Sequence, residues 1–248
     1  MTGTTKECSN CGNALALTAN FCGSCGNRLT LHTSPGPSSK LVVSISYFFA
    51  LLLINIIIGL TVDFYSFQTD VIASLVLVAV SLSFAYYLGY LRLSTFRTPA
   101  RFTPVLITIA AALMMAFLVS SIAGWINVLL WDMEYLEIDI YLDTAYPFIY
   151  ATIFTAIIPA IFEELAFRGF MFGEISKHTN AETALIITSL LFAIIHLSAI
   201  GLIWYIPGGF LLGFLRMKYK SISYCILAHF FYNLMIIALD FNKYFTEW

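Results

Sequence analysis

Long apolar runs alternate with short polar stretches along most of this chain. A run of about 20 apolar residues can cross the roughly 30 Å of hydrocarbon in a bilayer as a helix. The sixth run is short, and the third is long enough to tilt or to leave the membrane as a helix. The pattern predicts an all-α polytopic membrane protein with about seven transmembrane helices, over residues 41–61, 71–91, 103–131, 146–163, 183–200, 202–215 and 222–239.

Composition supports this class. Of the 248 residues, 60% are hydrophobic and 10% are charged, whereas soluble domains carry about 25% charged residues. The net charge of -2 argues against nucleic acid as a partner. The lipid bilayer is the partner that the composition predicts.

Basic and acidic residues fall in loops on opposite sides of the predicted membrane. Because basic loops stay in the cytoplasm, the amino terminus is predicted to be cytoplasmic and the carboxyl terminus outside. The stretch before the first run is polar and rich in cysteine, so no cleavable signal is expected there. The basic side carries Lys6, Arg28, Lys40, Arg92, Arg97, Arg101, Lys177, Arg216, Lys218 and Lys220, and the acidic side carries Asp63, Asp70, Asp132, Glu134, Glu137, Asp139 and Asp143.

Two Cys-x-x-Cys pairs, Cys8 with Cys11 and Cys22 with Cys25, lie close together near the amino terminus. Each pair can fill two corners of a tetrahedral zinc site, and the glycine after each pair permits the tight turn. A pair of disulfides is the alternative, which a reducing cytosol disfavours. The pattern resembles the short zinc ribbons at the start of many prokaryotic membrane proteins, which implies a structural zinc ion and a prokaryotic cell membrane.

The chain is therefore predicted to have three parts. Residues 1–29 form a zinc ribbon that can recruit a cytosolic protein partner, and residues 30–40 form a flexible linker rich in Ser, Pro and Thr. Residues 41–248 form the transmembrane helical domain.

A few ionisable and polar residues interrupt the fourth, fifth and seventh runs. A charge at the centre of a membrane helix costs about 2.5 to 3.5 kcal/mol on insertion scales, so such residues are functional candidates. Glu164 and Arg168 are four residues apart, the spacing of an ion pair on one helix face, which leaves Glu163 free. The full set is Glu163, Glu164, Arg168, His196, His229 and Asn233.

These groups suit hydrolysis if their three helices converge. A partly desolvated carboxylate can take a proton from water, and imidazole and amide N–H groups can donate to the oxyanion formed from a carbonyl. The same groups can instead bind a catalytic zinc ion, since two histidines and a glutamate with an open position form a catalytic zinc site in some proteases. The residues alone leave both mechanisms open.

The three motifs resemble the signatures of the CAAX protease and bacteriocin-processing (CPBP, or Abi) intramembrane proteases, and the likeness covers about residues 145–240. The motifs are Glu163-Glu164-Leu-Ala-Phe-Arg168, Phe192-Ala-Ile-Ile-His196 and His229-Phe-Phe-Tyr-Asn233.

The resemblance implies a role for each matched position. Glu163 activates the attacking water with help from His196, and His229 and Asn233 stabilise the oxyanion. Glu164 and Arg168 then support the first motif. The family has been described both as metalloproteases and as glutamate proteases, and we favour the glutamate mechanism because no His-Glu-x-x-His motif is present.

Two other functions compete with an intramembrane endopeptidase acting on a membrane-anchored protein or peptide. One is a catalytically silent scaffold or receptor that recruits a partner through the ribbon. The other is a transporter, which the absence of two matching halves with broken helices disfavours.

Two structural expectations concern the fourth run. Counted from the cytoplasmic helix ends, Glu163 lies much nearer the surface than His196, and a fourth helix extending past Arg168, or a fifth that begins in the cytosol, would bring them level. Pro159 removes a backbone donor and is expected to kink this helix. In the sixth run, Gly209 and Gly213 form a small-x-x-x-small pair that is typical of close helix packing.

Overall fold

The computed structural model describes residues 5–8, 10–16, 21–26, 38–61, 66–92, 96, 102–131 and 136–247. The chain divides into two compact units, Met1–Ser38 and Ser39–Trp248. Most of the predicted linker, residues 30–37, lies outside the described residues, and the first membrane helix already begins at Ser39. Some of the charged residues used to predict the orientation also lie outside them: Arg28, Asp63, Arg97, Arg101, Asp132 and Glu134.

The amino-terminal unit contains a small antiparallel hairpin. Strands β1 (Thr5–Glu7) and β2 (Ala14–Ala16) pair with Lys6 opposite Leu15. Gly12 and Gly26 each follow a cysteine pair in a left-handed conformation, with φ of 72° and 69°. Their amides donate to the carbonyl oxygens of Cys8 and Cys22 at 2.8 and 2.9 Å, which closes the two turns where glycine is favoured.

The second unit is helical throughout its described part, apart from its connecting loops and a short 3₁₀ turn at Asp139–Tyr141. Its helices are α1 (Ser39–Thr61), α2 (Phe67–Leu88), α3 (Phe102–Trp131), α4 (Pro147–His178), α5 (Ala181–Ile194), α6 (Leu202–Tyr219) and α7 (Ser223–Glu247).

Five of these helices, α1 to α4 and α7, are long and apolar enough to cross a membrane. The chain is an integral membrane protein, and the predicted all-α class is confirmed. Helix α5 is apolar but has only 14 residues, which is shorter than a membrane span. Helix α6 has 18 residues, carries Arg216 and Lys218 in its last turn and is not one of these five.

Local sequence signals explain several helix ends. Ser66 caps α2 and exchanges hydrogen bonds with Thr69 in a capping box, and Gly89 ends the helix with a φ of 78°. Pro147 occupies the first turn of α4, where its missing N–H costs nothing. These caps shift the predicted second span from 71–91 to 67–88.

Helix α4 is much longer than the predicted span 146–163, because it continues past Glu163 and Arg168 to His178. Two stretches of this helix are π-helical, Thr152–Ile157 and Leu165–Met171. The second stretch is completely enclosed: Phe167, Phe170 and Met171 have no exposed surface. Helix α4 is therefore the central helix of the unit, with α2, α5, α6 and α7 among its neighbours.

The outer surface is apolar over most of its helices. Phe49, Leu60, Tyr86 and Trp125 are each more than 60% exposed. Such a surface suits lipid tails, which are as apolar as the side chains themselves. Inside, Tyr47 of α1 is fully buried, and its hydroxyl lies 2.8 Å from that of Ser81 on α2.

Helices α5 and α6 approach unusually closely at glycine positions. A Cβ on Gly209 would lie 2.9 Å from the carbonyl oxygen of Ser189, and one on Gly213 would lie 3.1 Å from Cγ of Leu185. The structure therefore uses the small-x-x-x-small pair for helix packing, as the sequence indicates.

Candidate active site at the centre of the helical unit

The buried ion pair on α4 is the structural centre of the site. Arg168 Nη1 lies 2.9 Å from Glu164 Oε1, and neither side chain has exposed surface. Arg168 Nη2 donates to the carbonyl oxygen of Gly209 at 3.0 Å, and its guanidinium lies 4.3 Å from the ring centroid of Phe192. The pairing expected from the spacing is present, and it also ties α4 to α5 and α6.

His229 of α7 joins the same carboxylate. Its Nδ1 lies 3.0 Å from Glu164 Oε1, and its side chain is 8% exposed. Arg168 can only donate, so Oε1 of Glu164 is an acceptor and has no hydrogen to give. The hydrogen in the contact must belong to His229, so Nδ1 is the protonated nitrogen.

His196 follows the end of α5 and is held by a different acceptor. Its Nδ1 lies 2.8 Å from the carbonyl oxygen of Phe192, which can only accept, so this nitrogen also carries a hydrogen. Nε2 is then the unprotonated nitrogen of the neutral ring. The next residue, Leu197, has a φ of 53°, a left-handed conformation that a non-glycine residue rarely adopts. The chain therefore turns sharply at the residue after His196.

Glu163, like Glu164, has one unused carboxylate oxygen. Its Oε2 is buried without a hydrogen-bond partner among the described residues. Burial of an unpaired polar atom is costly, and such atoms in native structures call for a ligand, a water molecule or a catalytic role. The adjacent glutamates differ in their other contacts, because Oε1 of Glu164 is held by Arg168 and His229, whereas Glu163 forms no ion pair among the described residues.

Asn233 lies one turn beyond His229 on α7 and contacts α4. Its Nδ2 donates to the carbonyl oxygen of Thr155 at 2.8 Å. In a regular helix this oxygen would accept from the residue four positions later, which is Pro159 and has no N–H. Just before Pro159 the helix contains the π-helical stretch Thr152–Ile157, and Asn233 supplies a donor there.

These side chains meet at one cavity of about 1090 Å³. It is lined by Glu163, His196, His229 and Asn233, with Pro159 beside them. Residues of α1, α2 and α3 complete its wall, and the rest of its lining includes the charged residues Asp70, Glu137, Asp240 and Lys243. The three motifs, which lie far apart in sequence, therefore share one cavity.

The length of α4 removes the mismatch in depth. Helix α4 continues from Glu163 to its end at His178, and α5 runs from its start at Ala181 almost to His196. At a rise of about 1.5 Å per residue, both residues are about 22 Å from these ends. Glu163 and His196 are thus level, as expected for a fourth helix extending past Arg168.

Two residues that contact the site were not predicted from the sequence to have a functional role. Asn55 of α1 donates to the carbonyl oxygen of Ile195 at 3.3 Å, and Tyr205 of α6 stacks on His196 with ring centroids 3.9 Å apart. The sequence does offer a signal for Asn55, because it is a polar residue inside the first apolar run. Nothing in the sequence distinguishes Tyr205 from the other tyrosines.

The four cysteines of the amino-terminal unit form a compact group of a different kind. Cys8 Sγ lies 3.7 Å from Cys25 Sγ, Cys11 Sγ lies 3.6 Å from Cys22 Sγ, and all four sulfurs lie within 4.8 Å of one another. Tetrahedral zinc with bonds of about 2.3 Å requires sulfur pairs about 3.8 Å apart, so the group fits a metal ion. None of these cysteines forms a disulfide.

The cavity residues do not form such a group. In the described part of the chain, the only cluster of three or more His, Cys, Asp or Glu side chains with suitably placed ligand atoms is the cysteine group. The arrangement of these donors therefore does not fit a catalytic zinc ion.

Comparison with known proteins supports the resemblance drawn from the motifs. Residues 145–235 match the family described as "Type II CAAX prenyl endopeptidase Rce1-like". A curated protein of Bacillus subtilis (strain 168), "Putative membrane peptidase YdiL", is 33% identical over 88 residues. The alignment covers 36% of each protein, so the chain spans about a third of that relative. No solved structure matches the chain. The similarity to membrane proteases thus extends over the segment that carries all three motifs.

Proposed function

We propose that this chain is an intramembrane endopeptidase that hydrolyses a peptide bond of a membrane-associated protein or peptide with water activated by Glu163. The unpartnered Oε2 of Glu163, buried at the wall of the cavity, is the observation that carries the proposal. An acceptor without a donor is placed to bind a water molecule and to take its proton. The match to CAAX-type proteases supports the same activity.

The hydrogen bonds of the two histidines give them opposite roles. Nδ1 of His196 donates to a carbonyl oxygen, so Nε2 of the neutral ring is an acceptor that can help Glu163 orient the water. Nδ1 of His229 donates to a carboxylate, so only the doubly protonated ring has an N–H left at Nε2. In that form His229 can donate to a developing oxyanion.

Asn233 completes the oxyanion site. One of its two amide hydrogens is used by the carbonyl oxygen of Thr155, and the second is available to the cavity. A carbonyl group placed between Glu163 on one side and His229 with Asn233 on the other would meet a base and two donors. This is the arrangement that acyl hydrolysis requires.

The reaction then proceeds in two steps. Glu163 takes a proton from water as the water oxygen bonds to the carbonyl carbon, and the negative charge moves to the carbonyl oxygen beside His229 and Asn233. The C–N bond then breaks, the carbonyl re-forms, and Glu163 passes its proton to the leaving amine. We favour this glutamate mechanism because the cavity residues do not fit a metal site.

The amino-terminal unit is proposed to be a zinc ribbon. Four thiolates fill a tetrahedral zinc ion completely, so this metal would stabilise the unit and would not take part in hydrolysis. Lys40, Arg92, Lys177 and Arg216 lie at helix ends that face the same side if the amino terminus is cytoplasmic. In that orientation the ribbon would be available to a cytosolic partner.

The proposed activity is tested by comparing the membrane peptides of cells that express three forms of the chain. These are the wild type, Glu163→Gln, which keeps the shape of the side chain but cannot act as a base, and Glu182→Gln. Glu182 is an exposed carboxylate at the start of α5 and serves as the matched control. We expect at least one cleavage product that is present with wild type and with Glu182→Gln, and absent with Glu163→Gln.

An unchanged peptide set for Glu163→Gln, at equal protein levels, would refute the endopeptidase proposal. The silent scaffold would then be the better interpretation. A His229→Gln variant provides a second check, because it removes the proposed oxyanion donor and should lose the same product.

A further inference from the structure

We infer that two residues outside the three motifs, Tyr205 of α6 and Asn55 of α1, act as positioning residues that hold His196 in a single tautomer with Nε2 toward the cavity. This inference rests on the proposed function only for the catalytic role of His196. The contacts that hold its ring do not depend on any reaction. Residues 145–235 carry the family match, so Asn55 lies well outside it.

Tyr205 restrains the imidazole ring directly. The two rings are stacked, with centroids 3.9 Å apart and planes inclined by 21°. On another side, Phe192 meets His196 edge-on, with centroids 5.0 Å apart and planes at 64°. A ring stacked on one neighbour and held edge-on by another has little room to flip, so the bond from Nδ1 to Phe192 keeps its direction.

Gly201 makes room for this stack. A Cβ at position 201 would lie 2.5 Å from Cε2 of Tyr205 and 2.7 Å from Oγ of Ser198. The Tyr205 amide donates to the carbonyl oxygen of Gly201 at 2.8 Å, and the Gly201 amide donates to Ser198 Oγ at 3.0 Å. The first turn of α6 is thus shaped to bring the Tyr205 ring onto His196.

Asn55 restrains the backbone that carries His196. Its Nδ2 donates to the carbonyl oxygen of Ile195, the residue before His196 at the end of α5. The last carbonyl groups of a helix have no partner within the helix, and within a membrane each needs one from elsewhere. Asn55 supplies this partner for the carbonyl group of Ile195. It thereby also restrains the backbone near Leu197, whose φ of 53° is unfavourable for a residue other than glycine.

Nitrogen-15 NMR of the full chain in detergent micelles, with only histidine labelled, tests the inference. The chain has four histidines, and His196→Gln identifies the signals of His196 by their loss. For wild type we expect one His196 tautomer, with hydrogen on Nδ1 and none on Nε2. Tyr205→Leu and Asn55→Leu should each give a mixture of both tautomers, whereas Tyr205→Phe, which keeps the ring, should retain the wild-type signals.

Two controls separate positioning from general damage. His229 is held by Glu164 and should keep its own signals in Tyr205→Leu and Asn55→Leu, which shows that the bundle is intact. Tyr86→Leu removes a tyrosine ring that is 79% exposed on α2 and should leave His196 unchanged.

The positioning role of each residue can be refuted separately. If Tyr205→Leu keeps the single wild-type tautomer, or Tyr205→Phe loses it, ring stacking does not position His196. If Asn55→Leu keeps it, Asn55 has no positioning role. These results need no substrate, so they remain decisive even if the endopeptidase proposal fails.

A kinetic measurement connects the tautomer to the proposed reaction. With the peptide identified by Glu163→Gln as substrate, Tyr205→Leu and Asn55→Leu should lower kcat about tenfold to a hundredfold and leave KM nearly unchanged. A change confined to KM would mean that both residues bind the substrate and do not act through His196.

Discussion

Removal of the buried cation on α4 should strongly destabilise the protein. Arg168→Met keeps most of the aliphatic volume but leaves the Glu164 carboxylate with His229 as its remaining ionisable partner. Both members of the ion pair have no exposed surface, so water cannot take over the lost interaction. Removal of one partner of such a pair costs about 3 to 5 kcal/mol, which is about two to four powers of ten in the folding equilibrium.

The double variant Glu164→Gln, Arg168→Met separates charge from packing. It removes both charges at once, so no charge is left buried without compensation. We expect the double variant to lose less free energy of unfolding than the two single variants lose in sum, and the difference should be at least about 2 kcal/mol. Glu164→Gln alone should also destabilise, because Arg168 then faces a neutral amide.

Equilibrium unfolding in mixed micelles of mild detergent and dodecyl sulfate, followed by fluorescence of the four tryptophans, measures these values. Lys177→Met is the control: it removes the cation of a second ion pair on the same helix, at 2.6 Å from Glu174, but this lysine is 59% exposed, and the buried Glu174 keeps a hydrogen bond from Tyr90. Its cost should stay below about 1 kcal/mol. A loss below about 1 kcal/mol for Arg168→Met, or additivity of the two single variants within about 0.5 kcal/mol, would refute the reasoning.

Three other contacts can be tested by substitution. Gly209→Ala should lower stability by about 1 to 3 kcal/mol because its Cβ meets the backbone of Ser189, whereas Gly208→Ala, which faces only the flexible end of Met115 at 3.4 Å, should be nearly neutral; thermal unfolding of both variants decides this. Asn233→Ala should cost about 1 to 3 kcal/mol in the same assay, since the Thr155 carbonyl oxygen loses its donor, and a neutral result would contradict that role. Replacement of Cys8 and Cys11 by Ser should lower bound zinc, measured by elemental analysis of the purified full chain, and unchanged zinc would overturn the ribbon assignment.

The pairing of Glu164 with Arg168 could be predicted because it depends on one helix alone. Spacing by four residues determines which side chains share a face, and the order of carboxylate before guanidinium is the favoured one. The glycine turns after the cysteine pairs could be predicted for the same reason, because they depend only on neighbouring residues. Such features need no knowledge of how distant segments pack.

Contacts between helices could not be predicted in this way. No sequence pattern indicated that His229 contacts Glu164, because that contact depends on the rotation of α7 about its axis. An extension of α4 past Arg168 was suggested only by the mismatch in depth, and its end at His178 was not predicted, since the polar residues past Glu163 suggested an end to the span. They are accommodated because Arg168 and Glu174 find partners inside the protein, on Glu164 and on Tyr90.

The two histidines are therefore similar in sequence and different in chemistry. Each uses Nδ1 as a donor, but His196 donates to a carbonyl oxygen at the end of its own helix, and His229 donates to a carboxylate already paired with Arg168. A neutral ring held in this way at His196 has its acceptor at Nε2, whereas a donor at Nε2 of His229 requires a second proton on that ring. The buried ion pair thus contributes to more than stability, because it supplies the carboxylate that holds Nδ1 of His229. Glu163 forms no ion pair among the described residues, which supports its proposed role as the base.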